Sequence, residues 1–411
     1  IKARTRRSID LKDVYWAIKL FRIKSSTPKK MSSITKRNHG IDIIRGLCIL
    51  AVILLHINIR FQFTQTFIKE IFPKKLFSLL FWSGFYGVII FFTLSGFLIT
   101  SSIYKKWGKL SQIDLKTFYW YRFARIIPLL TLILLILSIL HLTNVSGFVI
   151  NPDKTSLARA IFAALTFHIN WLEIQVGYLP ANWDVLWSIS IEETFYLVFP
   201  LVCLFLKKDG WFVGVLILCM TISPWARIFL FPGNELADKN HLAYLDSIAL
   251  GCMAAIIANR FSVNLWTRRT LFFLGLAMAI AVLYFRGFIY RAGLTNWGLN
   301  ITVLSTGVAL MLLWLNKHPS MQGKQYFNWL INMGRYSYEI YLTHMFVIIF
   351  GHQLYNYFEP GDNWLIPYSL LLIVLSFYLG KLVFNSFSEP LNLWLRKKWS
   401  AKTLENSTSL P

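Results

Sequence analysis

"RGLCILAVILLHINIR", residues 45–60, is apolar enough to cross a bilayer, yet it opens on an arginine and carries a histidine in its interior. An ionisable group at bilayer depth costs kilocalories to desolvate, and such groups mark places where work is done. At about 100° and 1.5 Å per residue, Arg45 and His56 fall on nearly the same helix face, roughly 16 Å apart along the axis. One side of this helix is equipped for chemistry or transport.

The rest of the chain sets the environment of that helix. Of 411 residues, 56% are hydrophobic and 17% aromatic, and mean hydropathy is +0.52. Many separate apolar runs of about 18 residues or more describe an all-α, polytopic transmembrane helical bundle. Cys48, Cys203, Cys219 and Cys252 are widely spaced within apolar runs. They suggest neither a disulfide framework nor a metal cluster, and no metal site is expected. The net charge of +23 falls between apolar runs instead of forming a soluble basic face with interleaved aromatics, which speaks against a nucleic-acid partner.

The positive-inside rule turns these runs into a path of about ten spans with both termini cytoplasmic. The expected spans are 42–60, 81–103, 126–143, 185–206, 211–231, 242–259, 270–287, 297–316, 331–352 and 364–386. Lys105, Lys106, Lys109, Lys116, Arg122, Arg125, Lys207, Lys208, Arg260, Arg268, Arg269, Lys317 and Lys324 lie inside, and Glu235 and Asp238 outside. The shorter run at 157–172 is read as an interfacial or re-entrant helix on the outer side. Residues 1–40 form a basic cytoplasmic segment, 41–395 the membrane domain and 396–411 a cytoplasmic tail. Met31 heads "MSSITKRNHG" and is an expected natural start. Before it, "DVYWAIKLFRIK" reads equally as a surface-lying helix or a leader. The first apolar run is too long for a signal-peptide core and is expected to remain as an anchor.

Polar residues within the spans carry the functional signal. "GVIIFFTLSGFLIT" (87–100) places Ser95 and Gly96 inside the second span, where small residues first mean close helix packing. "FYWYRFARIIPLL" (118–130) sets Arg122 and Arg125 one turn apart at the cytoplasmic mouth, with planar forks suited to phosphate. "DVLWSISIEETFYLVFP" (184–200) holds adjacent carboxylates, Glu192 and Glu193, near Tyr196 in an otherwise apolar span. In "MGRYSYEIYLTH" (333–344), Ser337, Tyr341 and His344 share a face, while Arg335 lies nearly opposite His344. Asp246, in "AYLDSIALG", reads as an interfacial residue at the outer end of a span.

In this order the motifs resemble the integral-membrane acyltransferase 3 family, which includes bacterial O-antigen and exopolysaccharide O-acetyltransferases. The likeness covers about residues 40–395. It rests on Arg45 with His56, "FFTLSGFLI", Arg122–Arg125 before Pro128, "WSISIEETFYLVFP" and "RYSYEIYLTH". It implies a ten-helix membrane acyltransferase domain at 41–395, a multi-pass location in a bacterial inner membrane, and no tightly bound cofactor. It further implies cytoplasmic acetyl-CoA, or another acyl-CoA, as donor and a hydroxyl acceptor on a sugar, glycan or lipid-linked saccharide. By that likeness His56 is the catalytic base and the paired arginines bind the donor. Two departures stand out: Ile89 replaces an acidic residue frequent in relatives, and no arginine stands near Tyr244. Some relatives append an extracellular hydrolase-like domain, and its absence after the last span reads as a one-domain, single-step enzyme.

The residues themselves are compatible with that chemistry. A neutral His56 could take the acceptor's proton; Glu192 or Glu193 could orient it; Arg45 would join Arg122 and Arg125 on the donor's phosphates. Ser95, Gly96, Tyr196, Arg335, Tyr341 and His344 are assigned to the substrate path. The rival reading is a transporter or flippase with a His/Glu/Arg proton relay, disfavoured by the lack of a convincing internal repeat. A scaffolding protein would leave the buried carboxylates and histidines unexplained.

Overall fold

All ten expected apolar runs fold as helix. The computed structural model describes residues 37–206, 209–316 and 327–408, and these contain helices and turns without a strand. The expectations for Met31 and the segment preceding it, and for Lys207, Lys208, Lys317 and Lys324, lie outside the described residues. Residues 38–411 cluster as one unit. The principal helices are α1 His39–Phe61, α2 Gly84–Trp107, α3 Leu115–Leu142, α4 Leu157–Leu165, α5 Ile169–Val176, α6 Asn182–Phe205 and α7 Asp209–Phe229. They continue as α8 Leu245–Arg260, α9 Leu265–Leu283, α10 Leu299–Leu315, α11 Asn328–Arg335, α12 Ser337–Phe358, α13 Leu365–Val383 and α14 Glu389–Thr408. The expected C-terminal tail is helical as far as Thr408.

Eight helical stretches are long and apolar enough to cross a membrane. They contain α1, α2, α3, α6, α7, α8, α9 and the continuous stretch from Asp362 to Ala401. Of the two remaining expected spans, α10 is apolar but has 17 residues. The other, 331–352, is two helices: the chain breaks at Tyr336 between α11 and α12. Arg335 therefore ends a separate helix, and its angular relation to His344 cannot be taken from one continuous helical wheel. The run at 157–172 likewise divides into α4 and α5 at Thr166–His168, where Phe167 adopts φ 58°.

Local sequence explains the helix starts. Asn38 caps α1 by accepting from the Ile41 N–H, Asp114 caps α3, Ser156 caps α4 and Asn264 caps α9. Each satisfies an N–H that the first turn leaves without an intrahelical partner. The helices then approach through glycines. A Cβ on Gly96 of α2 would lie 2.1 Å from the Ile248 carbonyl of α8, and one on Gly251 of α8 would lie 2.0 Å from the Thr93 carbonyl of α2. Gly46 and Gly334 seat α1 on α11 in the same way, and Gly275 and Gly307 seat α9 on α10. Membrane helices lack a hydrophobic drive toward one another, so such close backbone contact supplies the packing. Cys48, Cys203 and Cys252 are buried, and all four cysteines are unpaired.

Candidate active site

α12 stands against α1 on one side and α6 on the other, and this arrangement gathers much of the chemistry. The Arg45 Nε and Nη2 donate to Ser337 Oγ at 3.1 and 2.8 Å. Three helix turns further along α1, His56 Nδ1 lies 3.3 Å from His344 Nε2, with the rings edge to face at 5.0 Å. The face shared by Arg45 and His56 is thus turned to α12.

The two imidazoles fix each other's protons. His344 Nδ1 faces the Tyr341 and Ile340 carbonyls at 2.8 and 3.1 Å, and a carbonyl only accepts, so this nitrogen carries the hydrogen. Its Nε2 is then a bare acceptor. His56 Nδ1 faces that acceptor and the Val52 carbonyl at 2.9 Å, so it too is an N–H. The hydrogen placement follows from these partners, and it leaves the lone pair of neutral His56 at Nε2. Tyr341 points elsewhere from the same helix: its hydroxyl meets Ser188 Oγ at 2.7 Å and the Val185 carbonyl at 2.9 Å, both on α6.

Glu192 and Glu193 are not the partners of His56. Arg122 Nη2 lies 3.5 Å from Glu193 Oε1 and 3.9 Å from Glu192 Oε1, and its guanidinium carbon sits 3.4 Å from the centre of the Tyr196 ring. Glu192 Oε1 also accepts from Ser95 Oγ at 2.5 Å and from the Tyr196 hydroxyl. The acidic residue whose field reaches His56 is Asp184, two turns nearer the start of α6, together with Lys239 and Arg60. Adjacency in sequence concealed this separation.

Arg125, one turn along α3 from Arg122, faces different partners. Its guanidinium grips Glu339 of α12 with both nitrogens, at 2.9 and 3.4 Å. Ser388 Oγ also donates to Glu339, at 2.7 Å. Ser388 ends a π-turn, Phe384–Ser388, that joins α13 to α14. Glu339 is fully buried and had no assigned role in the sequence reading, although it stands within "RYSYEIYLTH". Among the described residues Arg122 Nε is buried without a hydrogen-bond partner, whereas Arg125 is committed. Gly96 packs against α8, while Ser95, one residue before it, turns to Glu192. Arg335 lies over the Tyr336 and Phe384 rings.

Two further clusters pair buried charges that stand apart in the sequence. Asp246 is buried and pairs with Arg227 of α7, while accepting from Thr302 at 2.5 Å, so it is no interfacial residue. Arg227, 5.8 Å from the Tyr244 ring centre, supplies a cation where none stands in the local sequence. Lys239 is 6% exposed and donates to Glu173 and Asp184, each at 2.7 Å. Burial opposes its charge, but the two carboxylates outweigh that and hold the ammonium above its ordinary pKa.

A family model described as an acyltransferase domain matches residues 38–384. The peptidoglycan O-acetyltransferase OatA of Listeria monocytogenes is 27% identical over 384 residues, covering 86% of this chain and 55% of the relative. The O-acetyltransferase OatA of Staphylococcus aureus is 27% identical over 343 residues, covering 77% of this chain and 51% of the relative. The chain thus spans about half the length of the curated relatives it matches. No solved structure matches. With most of its length matched by the family model, this multi-pass membrane chain belongs to the acyltransferase 3 family.

Proposed function

We propose that this domain transfers an acyl group, acetyl by analogy with its relatives, from acyl-CoA to a hydroxyl of a glycan acceptor. The observation that carries the reading is the histidine pair. Val52 and His344 together occupy His56 Nδ1 and leave Nε2 as a base held in one orientation. The acceptor O–H gives its proton to that nitrogen as the oxygen attacks the thioester carbonyl. The C–S bond then breaks, and the departing CoA sulfur takes the proton back from the imidazolium. The name of the Listeria monocytogenes relative points to peptidoglycan as the acceptor.

Arg122 is the proposed contact for the donor's phosphates: it is held more loosely, 3.5 and 3.9 Å from Glu193 and Glu192, than Arg125, which Glu339 grips at 2.9 Å. Arg125 then acts chiefly by keeping α3 and α12 in register, and Arg45 holds the start of α12 through Ser337. Family membership favours acyl transfer over the carrier weighed from sequence.

His56→Ala should lower the transfer rate by about two to four orders of magnitude, the usual share of a positioned proton acceptor. His56→Gln should be nearly as inactive, since an amide does not accept the proton at neutral pH. The measurement is transfer from acetyl-CoA per folded, membrane-inserted molecule. Near-normal turnover by the Gln variant would remove His56 from the chemistry.

A further inference from the structure

At the end of α6 away from Glu192 and Arg122, a cleft of about 530 Å³ opens between the end of α5 and the loop after α7. Its lining includes Glu173, Tyr178, Asn234 and Glu235. We propose that this cleft is the subsite for the acceptor and takes a neutral or amino-bearing oligosaccharide.

Its volume fits one or two sugar rings and falls in the usual range for small-ligand sites, and its lining pairs an aromatic with a few polar groups, as such sites do. Tyr178 presents a ring that is 59% exposed, anchored by the Lys239 ammonium 4.5 Å from its centre. A sugar's C–H face packs on such a ring, and its hydroxyls donate to carboxylate and amide oxygens beside it.

Charge separates this ligand from the donor. Glu173 and Glu235 line the cleft, and Asp184 stands behind Glu173 across Lys239. Opposite them are Lys239, bound to Glu173 and Asp184; Lys154, beside Gly177; and Arg159, held by Gln175. There is no positive surplus to hold a CoA phosphate, and the carboxylates repel one. The cleft's floor is tied to the helix that meets α12: Glu173 binds Lys239, Lys239 binds Asp184 in the first turn of α6, and α6 packs on α12, which carries His344 beside His56. A glycan seated on Tyr178 therefore lies at the end of α6 away from Arg122, the contact proposed for the donor.

The name acceptor rests on the acyl-transfer reading, but binding can be tested without it. Chitopentaose, a soluble N-acetylated amino-sugar oligomer, serves as the probe in saturation-transfer NMR with the full chain in detergent or nanodiscs. Wild type should bind it. Tyr178→Ala and Glu235→Gln, both at exposed positions that do not threaten folding, should weaken binding about tenfold, and coenzyme A should not compete. Lack of binding by wild type, equal binding by both variants or displacement by coenzyme A each overturns the proposal. Transfer of acetyl to the same probe is measured separately. Binding without transfer would defeat the enzymatic reading and leave the cleft in place.

Discussion

His344 touches His56 through a nitrogen whose lone pair is exposed only because the other nitrogen is tied to backbone carbonyls. If His56 is the base proposed above, His344 is its positioning residue, with a specific signature. His344→Leu should reduce turnover about five- to tenfold, the worth of one neutral hydrogen bond, with donor affinity unchanged. His344→Gln, whose amide oxygen can accept from His56, should recover part of the loss. Nitrogen-15 spectra of histidine-labelled protein should show His56 protonated at Nδ1 in wild type. A wild type with the proton on Nε2 would exclude the proposed base. The shared face of Arg45 and His56 was legible in the sequence because it depends only on helical geometry. The partners of Glu192 and Glu193 were not, since they depend on where α3 packs. Lys239 was also invisible: a lysine in a short connection has no periodicity to betray its burial between two carboxylates.

At the scale of elements, the reciprocal glycine contacts make a sharp forecast. Gly251→Val inserts side-chain atoms where the Thr93 carbonyl already sits 2.0 Å from a Cβ position, so α2 and α8 must separate. The cost should be about 1–3 kcal/mol, read as a lowered unfolding midpoint in detergent. Gly214 of α7 has nothing within 4 Å of its Cβ position, so Gly214→Ala should be neutral or slightly stabilising. Equal behaviour of the two variants would contradict the packing. Helix existence was readable from apolar length. The break at Tyr336 was not, because the one nearby glycine, Gly334, lies inside α11 as a packing contact with α1 and no proline marks the turn.

For the whole molecule, alternation of basic loops predicts sidedness. A cysteine at Glu235 should react with an impermeant maleimide from outside, and one at Lys109 should not; both positions are exposed in the fold. Asn240, in the same outer connection, is fully buried and would be a poor reporter. External labelling at Lys109 would reverse the assignment of sides. Charge and hydropathy supply this expected path, whereas the meeting of α1, α6 and α12 around His56 required the tertiary structure.

The helical stretch from Asp362 to Ala401 has 40 residues, about 60 Å of helix, or twice the hydrocarbon thickness of about 30 Å. Its far half, α14, is fastened to the start of α3 by the stacked rings of Trp120 and Trp399 and by a hydrogen bond from Trp120 to the Leu395 carbonyl. These two helices form a strut that braces the part of α3 carrying Arg122 and Arg125. A rigid strut cannot shorten to follow its surroundings. Lipids with longer tails are then expected to raise the membrane surface along it and to bring the arginines closer to hydrocarbon, where their charge is costlier. On the acyl-CoA reading proposed above, bilayer thickness should then tune affinity for the anionic donor, and the lipid composition of the host membrane should set how tightly it is held.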